Sequence, residues 1–228
     1  MKFLRLLVIA SVVVLTCAFS PSKPLNGSTG GGAGVKITLF YEGLCEGCHS
    51  FILNQLRPTY DRLEDYITLD LLPFGNAHMK VDNGTVTFTC QHGPEECYVN
   101  EVQTCAVKYV HPPTQLLHFI ACMLSDDDPT KAGQPCARKV GTDWPVLDKC
   151  SQGPEGKQLL YEMGKRTRGH HPTIEYVPWV EFNGVHNETL EVLARHDLFS
   201  VVCDLLKPEK PYVCKGAKRE PGYCFSRY

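Results

Sequence analysis

Apolar and polar positions in the first third of the chain predict a strand, a helix and a second strand. Residues 35–40 alternate in part, as a half-buried strand does. An apolar pattern at helical spacing follows over about residues 46–63. We expect it to bend near Pro58, because proline lacks an N–H and crowds the preceding turn. Residues 66–74 predict the second strand, which completes a βαβ unit with a right-handed crossover.

The middle of the chain is predicted to be mostly helical. Residues 75–83 are interpreted as a loop, 85–89 as a short strand and 90–94 as a turn. Pro112-Pro113 breaks the helical pattern that follows. The helical pieces are at about residues 95–110, 115–124, 136–147 and 154–166. We therefore predict a helical insertion at about residues 90–168.

Strand character returns near residues 176–185, where Asn183-Gly184 favours a tight hairpin turn. A last amphipathic helix is predicted over residues 186–207. The tail that follows is too polar to pack unaided, so we expect Cys214 and Cys224 to attach it to the body or to each other.

Two cysteines separated by two residues, Cys45 and Cys48, stand at the start of the first predicted helix. Thiol–disulfide exchange proteins use this arrangement, because the free N–H groups and the dipole of a helix N-terminus favour a thiolate. A structural disulfide and half of a zinc site are the alternatives. The sequence holds no second Cys-x-x-Cys that would complete a zinc site, so we expect no metal.

Pro178 stands just before an apolar strand. It is either a trans proline at the first position of that strand, where its missing N–H does no harm, or the cis proline that faces the Cys-x-x-Cys of a thioredoxin-like fold. The upstream motif favours the cis form, with Val177 and Pro178 positioning substrate. The predicted fold class is therefore α/β, a thioredoxin-like fold with a helical insertion on a DsbA-like plan, stapled by disulfides.

The start of the chain resembles a secretory signal over residues 1–20, with Lys2 and Arg5 before an apolar run. That run is too short to span a bilayer, and no other stretch reaches about 18 apolar residues, so no membrane span is expected. Residues 21–34 are interpreted as a flexible leader, 35–207 as the thioredoxin-like domain and 208–228 as a cysteine-containing tail.

Charge argues against a nucleic-acid partner. Removal of Lys2 and Arg5 from the 23 basic residues leaves 21 against 25 acidic residues, a net charge of −4. Phosphate binding needs clustered lysine and arginine, which this balance does not favour.

Cysteines and sequons indicate export. Of the 12 cysteines, Cys17 lies in the signal and nine others lie outside the Cys45/Cys48 pair, so at least one is unpaired or links to another chain. Spacing does not choose among the possible pairings. Asn-x-Ser/Thr sequons predict glycosylation at Asn26, Asn83 and Asn187.

Residues 90–105 read C-Q-H-G-P-E-E-C-Y-V-N-E-V-Q-T-C. This segment resembles the signature of the gamma-interferon-inducible lysosomal thiol reductase family, C-Q-H-G-x-x-E-C-x-x-N-x-x-x-x-C, at every fixed position. Cys97 and Cys105 lie about 12 Å apart along one helix face, too far to bridge each other. We expect structural roles for the whole set: Cys90, Gln91, His92, Gly93, Glu96, Cys97, Asn100 and Cys105.

The Cys-x-x-Cys and the segment 177–180 also resemble that family. The resemblance implies a thioredoxin-like reductase that cleaves protein disulfides at acidic pH in lysosomes, without a bound cofactor. It implies disulfide-containing protein substrates as partners, with a small-molecule or protein thiol as reductant. Family members are also secreted, so the expected location is the lysosome, the extracellular space or both.

The expected mechanism makes Cys45 the nucleophile and Cys48 the thiol that resolves the mixed disulfide. Glu46 would place a like charge beside the nucleophile and disfavour the thiolate. His49 is either a cation that supports the thiolate in acid or a surface histidine.

Two competing functions remain open. One is an oxidase or isomerase of the secretory pathway, which the closing residues Phe225-Ser226-Arg227-Tyr228 disfavour because they are not a Lys-Asp-Glu-Leu-type retention signal. The other is a secreted, disulfide-stapled binding protein in which the Cys45–Cys48 bond is structural.

Overall fold

The computed structural model describes residues 34–206 and 210–216. The predicted signal, residues 21–33 of the predicted leader, Asn26 and Cys224 therefore lie outside the described residues.

The strands in this part of the chain form one four-stranded sheet and one hairpin. They are β1 (Val35–Tyr41), β2 (Ile67–Pro73), β3 (His78–Asp82), β4 (Thr85–Thr89), β5 (Trp179–Phe182) and β6 (Val185–His186). The large sheet has the order β2-β1-β5-β6, and β3 pairs with β4. β1 runs parallel to β2 and antiparallel to β5, with Leu39 opposite both Leu71 and Val180. Six of the seven β1 residues are buried, as expected for the central strand of a covered sheet.

The helix after β1 has the predicted extent but contains an irregular turn. It comprises α1 (Glu46–Phe51), a π-helical turn (Ile52–Leu56) and α2 (Arg57–Leu63). The Arg57 N–H donates to the Ile52 carbonyl, five residues back. Pro58 follows in the first turn of α2, where a missing N–H is tolerated. The irregularity expected near Pro58 is therefore a widened turn just before it.

Five helices lie between β4 and β5, and one follows β6. They are α3 (Pro94–Tyr109), α4 (Pro113–Leu124), α5 (Gly133–Val140), α6 (Trp144–Ser151), α7 (Pro154–Arg168) and α8 (Glu188–Leu205). The single helical piece predicted at 136–147 is wrong, because α5 ends at Gly141, whose φ of 76° is left-handed. The loop predicted at 75–83 is also wrong, since it contains β3.

Four disulfides fasten the helices and the end of the described chain. The pairs are Cys90–Cys97, Cys105–Cys150, Cys122–Cys136 and Cys203–Cys214. Cys97 and Cys105 take different partners, as their separation on α3 predicts. The predicted attachment of the tail through Cys214 is confirmed, with Cys203 of α8 as the partner.

The segment before β5 has the backbone that the sequence predicts. The Val177–Pro178 peptide bond is cis, and Asn183 and Gly184 form a turn with φ values of 54° and 76°. With the parallel β1–β2 pair, the Cys-x-x-Cys helix and the helices between β4 and β5, this confirms the thioredoxin-like fold with a helical insertion. None of the described helices is both long and apolar enough to cross a bilayer.

Candidate active site

Cys45 and Cys48 lie where β1 passes into α1, at the end of the sheet. Cys45 is the N-cap of α1, and its Sγ accepts a hydrogen bond from the Cys48 N–H at 3.3 Å. The two Sγ atoms are 2.7 Å apart, and both cysteines are thiols. Cys45 is half-buried, whereas Cys48 is fully buried. The pair can close to a disulfide bond of about 2.05 Å with little movement.

The loop before Cys45 is fixed from α3. The Gly43 N–H donates to the buried Oδ1 of Asn100 at 2.8 Å. A Cβ atom on Gly43 would come within 2.5 Å of the Val99 side chain, so only glycine allows this close approach. The His49 ring lies 2.9 Å from the Gly43 carbonyl oxygen and is half-buried. His49 is therefore hydrogen-bonded to the loop backbone and is not a fully exposed surface histidine, and its support of the thiolate in acid stays a prediction.

The environment of Cys45 favours its thiolate. A hydrogen bond from the Cys48 thiol is the main cause that lowers the Cys45 pKa, to about 6. Partial burial acts against this shift, whereas the N–H groups of Cys48 and Gly47 and the charge of His92 support it. A Cys45 thiolate is thus available at a pH where an ordinary thiol, with a pKa near 8.5, stays protonated.

The environment of Cys48 has the opposite effect. Burial raises the pKa of the Cys48 thiol far above its ordinary value, and the hydrogen bond to Cys45 adds to the shift. The charges of Cys45 and Glu42 act in the same direction, and the Glu42 N–H against it. Cys48 therefore keeps its proton while Cys45 ionises.

Pro178 lies against this pair across Gly47. A Cβ atom on Gly47 would lie 3.5 Å from the Pro178 ring and 4.0 Å from the Cys45 Sγ. The Pro178 carbonyl oxygen accepts a hydrogen bond at 2.8 Å from Arg195 of α8. The structure thus brings together two elements that lie more than 120 residues apart in the sequence.

Three further side chains meet beside the dithiol: Glu42, His92 and Glu96. Glu42 and Glu96 are fully buried. The His92 Nδ1 lies 2.5 Å from the Glu96 Oε2 and 3.6 Å from the Glu42 Oε2. His92 and Glu96 belong to the signature segment, for which the sequence predicted structural roles. Glu42 was missed, although a charged residue directly after the apolar run 39–41 is a signal that could have identified it.

Glu42 and His92 have shifted proton affinities. Burial raises the pKa of Glu42 to about 7, with smaller contributions from the charges of Glu96 and Cys45. Desolvation opposes protonation of His92, but the hydrogen bond and charge of Glu96, with the charges of Glu42 and Cys45, raise the pKa of His92 above its ordinary value. The Glu42 carboxyl therefore holds its proton in mild acid.

Comparison with known proteins finds thiol reductases among the relatives of this chain. The family model described as gamma interferon inducible lysosomal thiol reductase (GILT) matches residues 36–140. A gamma-interferon-inducible lysosomal thiol reductase of Carassius auratus is 41% identical over 84% of this chain and 77% of its own length. The chain belongs to the GILT family.

Other GILT relatives are more distant in sequence. The Mus musculus protein of the same name is 34% identical over 82% of this chain and 74% of its own. A gamma-interferon-responsive lysosomal thiol protein of Arabidopsis thaliana is 36% identical over 80% and 76%. The crystal structure of an oxidised DsbA1 mutant is similar at a TM-score of 0.47 and 14% identity, covering 83% of this chain and 89% of its own.

The residues of the GILT signature in this chain fall into three groups in the structure. Cys90–Cys97 and Cys105–Cys150 are disulfides. Gln91 accepts a hydrogen bond from Asn76, and Gly93 is the N-cap of α3 with a φ of 90°. His92, Glu96 and Asn100 instead reach the Cys-x-x-Cys loop and its carboxyl neighbour. The signature is thus partly a scaffold and partly a wall of the site.

The remaining predicted residues of this GILT chain lie at the edges of the site or outside it. Glu46 is exposed in the first turn of α1. Val177 is half-buried and packs on the apolar core next to Pro178. Asn83 is exposed between β3 and β4, and Asn187 is the N-cap of α8, where its Oδ1 accepts the Leu190 N–H. Glycosylation at these asparagines stays a prediction.

In the described part of this GILT chain, one group of three side chains could offer ligand atoms to a metal ion. It consists of Glu42, His92 and Glu96, whose ligand atoms lie within 4.8 Å of one another. Two ligands on one zinc ion at bond lengths near 2.0 Å stand about 3.3 Å apart. The 2.5 Å separation of His92 and Glu96 is that of a hydrogen bond. The trio as built suits proton sharing better than metal coordination.

Proposed function

We propose that this chain is a thiol–disulfide oxidoreductase that reduces protein disulfide bonds with the Cys45/Cys48 dithiol. The observation that carries the proposal is the opposite tuning of the two thiols: Cys45 is half-buried with its pKa lowered to about 6, and Cys48 is buried with its pKa raised. A structural disulfide needs no such difference. A nucleophilic thiol that works with a protected second thiol does need this difference in pKa and burial.

In the first step, the Cys45 thiolate attacks a substrate disulfide. A bond forms between Cys45 and one substrate sulfur, and the other sulfur leaves as a thiolate that takes a proton from water. In the second step, Cys48 loses its proton and attacks the Cys45 sulfur, which releases the second substrate thiolate. Two electrons pass to the substrate, so a small-molecule or protein thiol must then reduce the Cys45–Cys48 disulfide.

The segment at Val177 and Pro178 is proposed to hold the substrate backbone beside the mixed disulfide. Its support is position: Pro178 lies next to Gly47 and Cys45, and Arg195 fixes its carbonyl oxygen. No cofactor is needed, since the dithiol itself carries the electrons.

Action at acidic pH, in lysosomes or after secretion, is part of the proposal. A thiol with a pKa near 6 is about one-tenth ionised at pH 5, whereas less than about one-thousandth of an ordinary cysteine thiol is ionised at that pH. The relatives carry lysosomal names, and the predicted signal and sequons agree with an exported protein.

The test is reduction of insulin at pH 5 by the full mature chain, together with a Cys48→Ser variant. We expect turnover by the native protein and, from Cys48→Ser, a stable mixed disulfide through Cys45 that mass spectrometry detects. Turnover by Cys48→Ser without an adduct would contradict the resolving role. No reduction by the native protein would favour the secreted binding protein, and oxidation of reduced substrates in place of reduction would favour the oxidase.

A further inference from the structure

The segment between α7 and β5 leads directly into the residues proposed to hold the substrate. It comprises residues 169–178, which form neither a helix nor a strand. Ile174 is its buried apolar contact with the sheet and packs in one cluster with Phe40 and Trp179. Because a segment outside helices and strands depends on its side chains for a fixed position, its polar contacts decide how firmly Val177 and Pro178 are held.

His170, at the start of this segment, has two ring nitrogens that both face oxygen acceptors. Its Nε2 lies 2.5 Å from the Oε1 of Glu181 on β5, and its Nδ1 lies 2.6 Å from the Pro172 carbonyl oxygen. A neutral imidazole has one N–H and donates to only one of these oxygens, and a carbonyl oxygen only accepts. The imidazolium ion donates to both. The geometry therefore fits a His170 ring that carries two protons and a positive charge.

The Glu181 carboxylate needs this charge. The side chain of Glu181 is 5% exposed and that of His170 is 18% exposed. A carboxylate buried without a cation is strongly unfavourable. Among the described residues, His170 is the one cation that pairs with Glu181. Lys36 and Arg166 pair instead with Asp70 of β2, on the far side of β1.

The His170–Glu181 pair joins the two ends of the segment. Glu181 lies on β5, two residues after Trp179 and on the same face of the strand. The His170 ring contacts the edge of Phe40, with ring centroids 5.1 Å apart, and lies edge-on to Trp179 at 6.4 Å. The pair therefore fastens the start of the segment to the strand that follows Pro178.

We propose that His170 and Glu181 are positioning residues for disulfide reduction, and that they hold the substrate-binding segment in acid. The charged His170 ring keeps residues 169–178 against β5 and so fixes Val177 and Pro178. As the pH rises and His170 loses its proton, the segment loosens and substrate is held less well. The proposal rests on the dithiol function above and adds how its substrate contact depends on pH.

Other charged groups near the segment have partners or are exposed. His186 bonds to Glu191 of α8 at 3.1 Å, but Glu191 also pairs with Arg195 at 2.6 Å, so its charge stays balanced when His186 is neutral. Desolvation raises the pKa of Tyr176 to about 12, so this phenol stays neutral. The remaining charged residues of the segment and of the end of α7 are exposed, and they are Arg166, Arg168, His171 and Glu175.

Nitrogen-15 NMR of the imidazole rings tests the charge of His170 directly. The full mature chain is used with the Cys45–Cys48 disulfide closed, so that the Cys45 thiol does not titrate. We expect both ring nitrogens of His170 to carry a proton at pH 5 and one of these protons to be lost by pH 8. Amide hydrogen exchange of residues 173–177, corrected for its intrinsic pH dependence, should be about tenfold slower at pH 5. A single ring proton at pH 5, or equal corrected exchange at both pH values, would overturn the proposal.

Steady-state reduction of a protein disulfide tests the consequence for the substrate. We expect the native KM to rise about tenfold from pH 5 to pH 7.5, in the range of one hydrogen bond to a charged group. His170→Gln and Glu181→Gln should show the higher KM at both pH values. Both should keep the native pH profile of kcat, because Cys45 is unchanged. A variant KM that stays low at pH 5 and rises as the native KM does would contradict the role of the pair.

The matched control is His118→Gln on α4. His118 also pairs with a carboxylate, that of Asp61 at 2.6 Å, but the two side chains are 42% and 40% exposed. The pH dependence of KM should stay native in this variant, and its loss would overturn the proposal, since the effect would not be specific to His170. Absence of turnover by the native protein would count against the dithiol function, whereas the NMR result would still decide the charge of His170.

Discussion

Two identical side chains, three residues apart, have opposite acid–base properties in this site. Cys45 is half-buried at the helix N-cap and accepts hydrogen bonds from the Cys48 thiol and N–H. Cys48 is one turn inside, fully buried, and its ionisation would place a second negative charge beside the first. Their different environments therefore support the proposed roles of Cys45 as nucleophile and Cys48 as resolving thiol.

The pH dependence of Cys45 alkylation tests this assignment. With its pKa near 6, the thiol is mostly ionised at pH 7 and about one-tenth ionised at pH 5. The rate of reaction of the reduced protein with iodoacetamide should therefore fall about tenfold between these values and level off above pH 7. A Cys48→Ala variant lacks the main cause of the shift, so its midpoint should move upward. A native rate that keeps rising to pH 8.5 would indicate an ordinary thiol.

Residue types and spacing predict the two cysteines and Pro178, because these carry their chemistry in short local patterns. Glu42 and His92 are not predictable in this way. They are 50 residues apart, and their contact exists only because α3 begins against the loop after β1. Tertiary packing thus decides which polar residues of the signature join the site.

At the scale of elements, α8 fixes the segment that leads into β5. Arg195 donates to the Pro178 carbonyl oxygen at 2.8 Å and to the Glu191 Oε1 at 2.6 Å. The Glu191 Oε2 accepts the Val180 N–H at 3.0 Å, and Glu191 is buried. One ion pair on α8 therefore holds the backbone on both sides of Trp179, next to the dithiol.

Arg195→Lys should weaken this positioning without touching the thiols. A lysine can bind Glu191 or the Pro178 carbonyl oxygen, but it does not hydrogen-bond both at once as the planar guanidinium does. Loss of one such hydrogen bond, about 1 kcal/mol, should raise KM for a protein disulfide about fivefold with little change in kcat. Arg138→Lys, on the exposed face of α5, is the control. A fall in kcat or in the Cys45 alkylation rate would show that Arg195 acts on the thiols instead.

The strength of the local pattern determines which elements are predictable. Apolar runs in the sequence predict β1, the helix after it and β2, because the apolar residues of these elements pack into the core. β3 has four exposed residues of five, so no apolar alternation marks it and the sequence suggests a loop. The break between α5 and α6 depends on the left-handed Gly141, which a helical apolar pattern does not reveal.

At the scale of the whole molecule, disulfides crosslink the helices of the insertion, which contributes residues to the site. Cys105–Cys150 ties α3 to α6 across 45 residues, and Cys122–Cys136 ties α4 to α5 across 14. On α3, Asn100 bonds the Gly43 N–H of the loop before Cys45 and Glu96 bonds His92, so the longer bridge anchors a helix that lines the site. The pairing of these cysteines is set by how the helices pack, which their spacing does not reveal.

Loop length predicts that the longer bridge contributes more stability. A crosslink restricts the unfolded chain by about 4 kcal/mol for a loop near 45 residues and about 3 kcal/mol for one near 14. Paired alanine replacement of Cys105 and Cys150 should therefore lower the free energy of unfolding by about 1 kcal/mol more than replacement of Cys122 and Cys136. Urea unfolding without reductant, with the Cys45–Cys48 pair oxidised in all variants, measures both. An equal or larger loss on removal of the shorter bridge would show that native packing around Cys122 and Cys136, and not chain entropy, governs the contribution of these disulfides.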